Sequence, residues 1–426
     1  MKNIIPSLKG ARDFYPEDMA IRSWLYGKLR QVSEAFGYQE WDGPFLEKLE
    51  LYAAKSGEEL VKEQSYVFPD RGGELITLRP ELTPSLARMI AQRQNQFAYP
   101  LRWWSFGPFW RYERPQKGRS REFFQWNIDL IGVETPEADA EMISIIAEFF
   151  RRVGLTPKQV VIKVNDRRLL NSELAALDIP PDQRPAILSF IDRRSKMPPD
   201  QWEQYGLELG LTPSQLTGVK LTLSNEALWL KSENLPRVFN ALEAAGDREY
   251  IQFDPNIIRG LLYYTGTVFE AFEISGEVKR AILGGGRYDN LMSDVGGEPL
   301  PAIGFAMGDV VISLILKEAG LLPEGLNSSP AQVMVTAFSQ ELFQDSIELT
   351  AEIRRAGMRV NCYPELAKLP KQFKFADRMG IPLAVVLGPD EQAKGLVTIK
   401  DLRDGSQTTI QRHALVQTLQ EKLKYG

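Results

Sequence analysis

The sequence has 426 residues, 43% hydrophobic and 25% charged, which is typical of a folded globular protein with about two to four domains. Its net charge of −5 gives no overall attraction to nucleic acid, so any such contact depends on local basic patches. One histidine, His413, and one cysteine, Cys362, exclude a disulfide within the chain and argue against Cys/His zinc sites and Ser-His or Cys-His catalytic pairs. Chemistry therefore has to come from carboxylates, Lys, Arg, Tyr and backbone groups.

The amino-terminal part predicts a helix, a hairpin and short strands. Apolar residues at helical spacing predict a helix over 20–36, followed by a strand over 38–45 and another over 75–78. Thr83-Pro84 predicts the start of a helix over 82–92, with Thr83 as its N-cap. Two aromatic-rich stretches, 101–112 and 122–133, flank a polar loop, which predicts a β-hairpin. A helix over 136–153 follows.

The rest of the chain predicts a helical insertion and a separate carboxyl-terminal domain. Residues 166–245 have helical patterns with proline breakers, and β patterns return at 250–253, 268–274 and 281–283. Residues 321–330 are typical of an interdomain linker. Strands and helices then alternate, which predicts a small α/β domain with a mixed sheet. The predicted segments are 332–337, 342–356, 360–363, 369–379, 383–387 and 396–401, then a final helix.

Neither a signal peptide nor a membrane-spanning segment is expected. The amino terminus lacks a long apolar region, and the most apolar stretch, 301–316, is short and contains Asp309. We therefore expect a cytoplasmic protein with no membrane partner.

The hairpin loop is the most unusual local feature. Residues 111–121 carry five cations and one carboxylate within an acidic protein. Cations on a turn between two aromatic strands suit a nucleotide triphosphate or an RNA backbone. A solvated basic loop without a partner is an equally good interpretation of this loop alone.

Three further segments permit both a chemical and a structural interpretation. Residues 79–84 place a carboxylate and a hydroxyl at a helix start, where they could bind an ammonium group or simply cap the helix. Arg259 lies among apolar residues beside Tyr263 and Tyr264, so it requires an anion if it is buried. Three glycines at 284–286, after a predicted strand, permit close approach of a ligand, or form a bulge. Neither a P-loop nor a Rossmann glycine pattern is present in the sequence.

Together these segments resemble the class II aminoacyl-tRNA synthetases, and within them the histidyl-tRNA synthetases. Residues 8–16 match the opening of that family, and 43–47 resemble motif 1, its dimer-forming element. Residues 109–125 look like motif 2, while 259–266 and 285–289 resemble the two histidine-specific signatures. Residues 372–377 and 397–401 look like its anticodon-binding domain.

The resemblance implies an α+β fold: an antiparallel catalytic sheet over 1–325 with a helical insertion at about 166–245, a linker at 326–330 and an anticodon-binding α/β domain over 331–426. It implies the activity of a histidine–tRNA ligase, a homodimer without DNA contact that uses L-histidine, ATP with Mg²⁺, and tRNA-His. No metal site on the protein is expected.

The resemblance also assigns residues. Arg259 would be the catalytic arginine, and Arg111 would bind the α-phosphate. Histidine would contact Glu81, Thr83, Gln125, Asp129, Tyr263 and Tyr264. ATP would contact Arg111, Glu113, Arg119 and Arg121.

The chain departs from the family pattern in motif 3. Gly308 is followed by Asp309-Val310-Val311, so Val311 stands where the family has an arginine that contacts the γ-phosphate. Leu262 replaces an acidic residue before the paired tyrosines, and residues 122–127 differ from the common bacterial exit of motif 2. The alternative function is a non-charging histidine-binding paralogue, such as the regulatory subunit of ATP phosphoribosyltransferase. Against it stand Arg259 and the segment 331–426.

Overall fold

The structure, a computed structural model, describes residues 4–53, 63–116, 118–259, 263–276, 281–323, 325–326 and 329–424. The chain divides into two compact units, Met1–Asp13 with Arg22–Pro323 and Phe14–Ile21 with Glu324–Gly426.

The elements before Pro323 are eleven described strands and eleven described α-helices. The strands are β1 (Gln39–Glu40), β2 (Leu46–Lys48), β3 (Tyr66–Pro69), β4 (Leu75–Leu78), β5 (Leu101–Trp110), β6 (Glu122–Ile131), β7 (Val160–Asp166), β8 (Ile251–Phe253), β9 (Thr267–Glu273), β10 (Ala281–Tyr288) and β11 (Ala302–Gly308). The helices are α1 (Pro16–Ala35), α2 (Leu49–Ala53), α3 (Thr83–Arg93), α4 (Pro136–Arg152), α5 (Arg167–Ala176), α6 (Arg184–Asp192), α7 (Pro199–Glu208), α8 (Pro213–Ser224), α9 (Leu235–Ala244), α10 (Leu291–Asp294) and α11 (Asp309–Glu318).

An eight-stranded sheet, in the order β1-β5-β6-β11-β10-β9-β7-β8, is the centre of the first unit. Its pairs are antiparallel except at the edges, where β1 joins β5 and β8 joins β7 in parallel. Side chains alternate between the two faces of a strand. Trp104 of β5 and Trp126 and Ile128 of β6 lie in the main hydrophobic core with residues of helices α1, α4, α9 and α11. The opposite face is thereby left available for a site.

Helices α5 to α8 lie between β7 and β8 in the sequence and have a core of their own. That core joins residues such as Phe190 and Trp202, whose rings stack with centroids 4.1 Å apart. Helix α8 begins with a capping box formed by Thr212 and Gln215. Helix α9, in contrast, contributes to the main core beside α4.

A second, three-stranded sheet has the order β2-β4-β3. Several apolar side chains in it or next to it are exposed, namely Phe45, Leu46, Val67, Phe68 and Leu75. Exposed apolar groups gathered in this way are typical of a surface that contacts another protein.

The second unit contains a five-stranded mixed sheet in the order β13-β12-β14-β15-β16. Its strands are β12 (Val333–Val335), β13 (Val360–Cys362), β14 (Leu383–Val386), β15 (Leu396–Asp401) and β16 (Gln407–Gln411). Its helices are α12 (Phe343–Arg355), α13 (Leu369–Arg378), α14 (Pro389–Ala393) and α15 (Leu415–Lys424). β12 pairs in parallel with both β13 and β14, whereas β14–β15 and β15–β16 are antiparallel, so the predicted mixed sheet is confirmed.

Several predicted boundaries are wrong. Helix α1 begins at Pro16, four residues before its predicted start, because Glu17 and Asp18 in its first turn favour the helix amino terminus. The predicted strand over 38–45 is reduced to β1, since residues 41–44 leave the strand conformation. The glycines at 284–286 lie inside β10 rather than after a strand. Strands β2, β3, β7, β11 and β16 were not predicted.

No helix among the described residues is long and apolar enough to cross a membrane.

Candidate active site

The face of the large sheet opposite helices α1, α4, α9 and α11 carries a row of polar side chains above very small residues. On β6, Gln125 and Asp129 point away from the core that holds Trp126 and Ile128. The register sets Gln125 opposite Gly308 and Asp129 opposite Gly304 of β11. Gln125 and Asp129 therefore each lie beside a residue without a side chain, and this floor of glycines leaves space for a ligand above the sheet.

Three glycines of this floor are required by the side chains above them. A Cβ on Gly284 would collide with the guanidinium of Arg259, and one on Gly304 would collide with the carboxylate of Asp129. A Cβ on Gly286 would lie 2.9 Å from the ring of Tyr264. The glycines thus make space for three of the predicted site residues.

Asp129 is a buried carboxyl group held by a tyrosine. Its Oδ1 accepts a hydrogen bond of 2.5 Å from the hydroxyl of Tyr288. Burial raises the pKa of Asp129 to about 7, although the bond from Tyr288 opposes this rise. The carboxyl group is thus poised between its neutral and ionised forms near neutral pH, where it can accept a hydrogen bond from an imidazole N–H.

The paired tyrosines connect the start of helix α3 with Arg259. The side chain of Tyr263 lies beside the hydroxyl of Thr83, its ring centre is 4.9 Å from that of Tyr264, and Tyr264 lies beside Arg259. Burial raises the pKa of both tyrosines, that of Tyr263 well above its ordinary value. Both are therefore neutral phenols that can donate and accept hydrogen bonds at neutral pH.

The start of helix α3 differs from its prediction. Thr83 is the first helical residue, and Leu82 is the N-cap without a side-chain hydrogen bond. The prediction of Thr83 as N-cap is wrong, because the helix begins one residue earlier than a cap at that position implies and already includes Thr83, whose side chain lies beside Tyr263. Glu81, two residues earlier, is only 7% exposed, and its charge acts on both tyrosines. The carboxylate and the hydroxyl thus belong to one polar cluster.

Arg259 has the anionic partner that the sequence predicted for a buried arginine among apolar residues. Its Nη1 donates to Oε1 of Glu270 on β9 at 2.8 Å. Its φ of 62° lies in the left-handed region that a side chain rarely adopts. Strain of this kind is concentrated at functional sites.

The three arginines of the basic loop that were assigned to ATP have different surroundings. Arg111 donates from Nε to the carbonyl oxygen of Pro80 at 2.9 Å, and its guanidinium lies 5.3 Å from the ring centre of Phe123. Arg119 is 60% exposed and lies 3.4 Å from a carboxylate oxygen of Glu113.

Arg121 is bound more firmly by its surroundings. Its guanidinium stacks 4.0 Å from the ring centre of Tyr112, and its Nε donates to the carbonyl oxygen of Glu113 at 3.1 Å. Its positive charge also acts on the nearby Tyr66. These contacts give Arg121 a role in holding the loop together.

The start of helix α11, which resembles motif 3, is hydrogen-bonded to strand β6 of motif 2 and to the amino-terminal segment. The side chain of Asp309, the first residue of α11, accepts from the backbone N–H of Phe124 at 2.9 Å and from Arg12 at 2.8 Å. Val311, at the position of the family's arginine, packs beside the main core. The start of helix α11 is therefore bonded to β6 through Asp309, while Val311 contributes an apolar side chain at the edge of the core.

Sequence reasoning missed Glu270, Tyr288 as the partner of Asp129, and the Arg12–Asp309 ion pair. The expectation that a buried Arg259 needs an anion could have indicated an acidic partner such as Glu270. No local pattern indicated the other two, because their partners are 159 and 297 positions away in the sequence.

Comparisons with known proteins agree with this geometry. The family described as "Histidyl-tRNA synthetase" matches residues 10–309, and "Anticodon binding domain" matches residues 332–422. A chloroplastic/mitochondrial histidine–tRNA ligase of Arabidopsis thaliana is 40% identical over 94% of this chain and 83% of its own length. A histidine–tRNA ligase of Opitutus terrae is 39% identical over 95% of this chain and 96% of its own length.

Solved structures show the same relation. The histidyl-tRNA synthetase of Nostoc sp. PCC 7120 has a TM-score of 0.81 and 28% identity, and the match covers 99% of this chain and all of that one. A Bacillus halodurans C protein titled as an ATP phosphoribosyltransferase regulatory subunit/histidyl-tRNA synthetase shares the fold at a TM-score of 0.72 and 23% identity, over 88% of this chain and 97% of that one. Fold alone thus fits either title, whereas the matches in sequence over nearly the full length show that this chain belongs to the histidyl-tRNA synthetase family.

Proposed function

We propose that this chain is a histidine–tRNA ligase that first joins histidine to AMP and then transfers it to the 3′ end of tRNA-His. In the first step a carboxylate oxygen of histidine attacks the α-phosphorus of ATP, and pyrophosphate leaves. In the second step a hydroxyl of the terminal ribose attacks the histidyl carbonyl carbon, and AMP leaves. The observation that carries this proposal is the polar cluster of Thr83, Tyr263, Tyr264 and Arg259 beside Glu81.

The roles proposed for histidine follow from the chemistry of each group. Glu81, Thr83 and Gln125 would accept hydrogen bonds from the α-ammonium group. Asp129 and Tyr264 would contact the imidazole, Asp129 as the acceptor for an N–H, with Tyr263 keeping Tyr264 oriented.

The roles proposed for ATP depend on arginines. Arg111 and Arg259 would stabilise the charge that develops on the α-phosphate during in-line displacement. Arg119, whose one ion pair among the described residues is with Glu113, is 60% exposed and would reach the outer phosphates, whereas Arg121 would act through the loop. Mg²⁺ would enter with ATP on the phosphate oxygens.

We also propose a homodimer, supported by the exposed apolar side chains of the three-stranded sheet. The division into a catalytic part (1–325), a linker (326–330) and a tRNA-contacting part (331–426) belongs to the same proposal, as does a cytoplasmic location.

Histidine-dependent exchange of pyrophosphate into ATP tests the first step, and charging of tRNA-His tests the second. The wild-type protein should support both, and Arg259→Ala should lower exchange by about 10²–10³-fold, as expected for loss of one group that stabilises transition-state charge. No exchange by the wild-type protein would disprove adenylation. Exchange without charging would favour the non-charging paralogue.

A further inference from the structure

Glu270 forms an ion pair with Arg259 and not with the lysine that is its partner on the neighbouring strand. Lys163 of β7 is directly paired with Glu270 in the register of β7 and β9. Its Nζ nevertheless bonds to Oδ2 of Asp254 at 2.8 Å. The carboxylate of Glu270 is therefore used by the guanidinium of Arg259 at 2.8 Å.

The guanidinium of Arg259 has a defined place. Glu270 accepts a hydrogen bond from Nη1, Tyr264 lies beside the same guanidinium, and Gly284 leaves the space that it occupies. Within the described part of the chain, the buried Nε of Arg259 has no hydrogen-bond partner. The guanidinium is thus oriented through Nη1, while its Nε makes no hydrogen bond within the described part of the chain.

The ion pair is not sealed in the core. Arg259 and Glu270 lie on the wall of a cavity of about 850 Å³ that also contacts the helical insertion through Arg194. Their side chains are 23% and 20% exposed. The ion pair is therefore accessible from this cavity.

We propose that Glu270 is the positioning residue of Arg259: its carboxylate holds the guanidinium in the direction required for the α-phosphate. This inference rests on the proposed function. An unrestrained arginine side chain samples many rotamers, and catalysis depends on reacting groups being placed within a fraction of an ångström. Glu270 touches no reacting atom, so its loss should affect the rate of the chemical step more than the binding of either substrate.

The test compares Glu270→Ala and Glu270→Gln in histidine-dependent pyrophosphate exchange. Glu270→Ala should lower kcat by about 100-fold, while KM for histidine and for ATP each change by less than about threefold. Glu270→Gln keeps a carbonyl acceptor of the same size and should restore kcat to within about tenfold of the wild-type value. A merely structural role would not separate kcat from KM in this way.

The matched control is Asp192→Asn, which removes the ion pair with Lys196 on the wall of the same cavity and leaves Lys163 bonded to Asp254. It should leave kcat within about threefold of the wild-type value. The inference is overturned if Glu270→Ala keeps the wild-type kcat, or if Asp192→Asn loses as much as Glu270→Ala. Should Glu270→Ala fail to fold by circular dichroism, Glu270→Met, which keeps the side-chain volume and removes the acceptor, takes its place, and a wild-type kcat in that variant overturns the inference. Absence of exchange in the wild-type protein would instead count against the proposed function.

Discussion

The hydroxyl of Tyr288 on β10 reaches across strand β11 to bond with Asp129 on β6 at 2.5 Å. The two residues can meet because β11 places Ala302 opposite Tyr288 and Gly304 opposite Asp129. Small residues on the intervening strand leave room for the contact above the sheet. The carboxyl group proposed to read the imidazole is therefore oriented by a residue two strands away.

Tyr288→Phe should weaken histidine recognition. Loss of the hydroxyl leaves a buried carboxyl oxygen without its donor, so KM for histidine at pH 7 should rise about tenfold, the equivalent of ~1.4 kcal/mol. The pKa of Asp129 should rise above about 7, since the bond from Tyr288 lowers it. The acidic limb of kcat/KM for histidine should then move to higher pH. KM for ATP serves as the internal control, and an unchanged histidine profile would contradict the prediction.

Asp129→Asn should stabilise the free protein while abolishing histidine activation. The folded pKa of about 7 exceeds the ordinary value of 3.8, so the folded state binds more protons between these pH values. Stability contributed by this group therefore falls as pH rises from about 4 to 7, and the penalty is complete above 7. At pH 8 the variant should gain about 1–3 kcal/mol in the free energy of unfolding, and less at pH 5. Thermal unfolding at both pH values measures this; an equal effect at both would refute it.

Gly284→Ala should abolish most exchange activity without a defect in folding. The added methyl group occupies the space of the Arg259 guanidinium, and displacement of that group by about 1 Å should cost about 10²-fold in kcat. Gly27→Ala in helix α1 is the control, because no atom lies within 4 Å of its Cβ position. Activity of Gly284→Ala equal to that of Gly27→Ala would be incompatible with the proposed position of Arg259.

Arg121→Ala and Arg119→Ala should have different consequences. Loss of the Arg121 contacts with Tyr112 and the carbonyl oxygen of Glu113 should cost about 1–2 kcal/mol of stability. Arg119 is mostly exposed, so its loss should cost less than about 0.5 kcal/mol, while KM for ATP increases. Chemical denaturation and ATP titration of both variants distinguish these outcomes; a reversal of the two effects would contradict the assignment.

Leu46→Glu combined with Phe68→Glu should disrupt the proposed homodimer. Register places these two exposed side chains on the same face of the three-stranded sheet. Burying two carboxylates without partners in an interface costs several kcal/mol. Light scattering coupled to size-exclusion chromatography should show a monomer. A dimer of unchanged affinity would show that this face lies outside the interface.

Much of the architecture followed from local patterns. The aromatic stretches around the basic loop predicted the β5–β6 hairpin, and β4 and β15 have their predicted bounds. Strand β11 was hidden, because the run over 301–316 is apolar on both faces of a buried strand and continues into a helix. Periodicity cannot separate a buried strand from a buried helix in such a run.

The sequence by itself determined which residue types could act, and it located Arg259, the tyrosine pair and the basic loop, because these signals lie within short segments. Only the tertiary structure decided which groups meet: Glu270 with Arg259, Tyr288 with Asp129, and Arg12 with Asp309. The physical reason is that strand order and register set these distances, and neither is encoded in any single segment. The structure also places Thr83 inside helix α3 rather than at its cap, with its side chain beside Tyr263, a residue 180 positions away in the sequence.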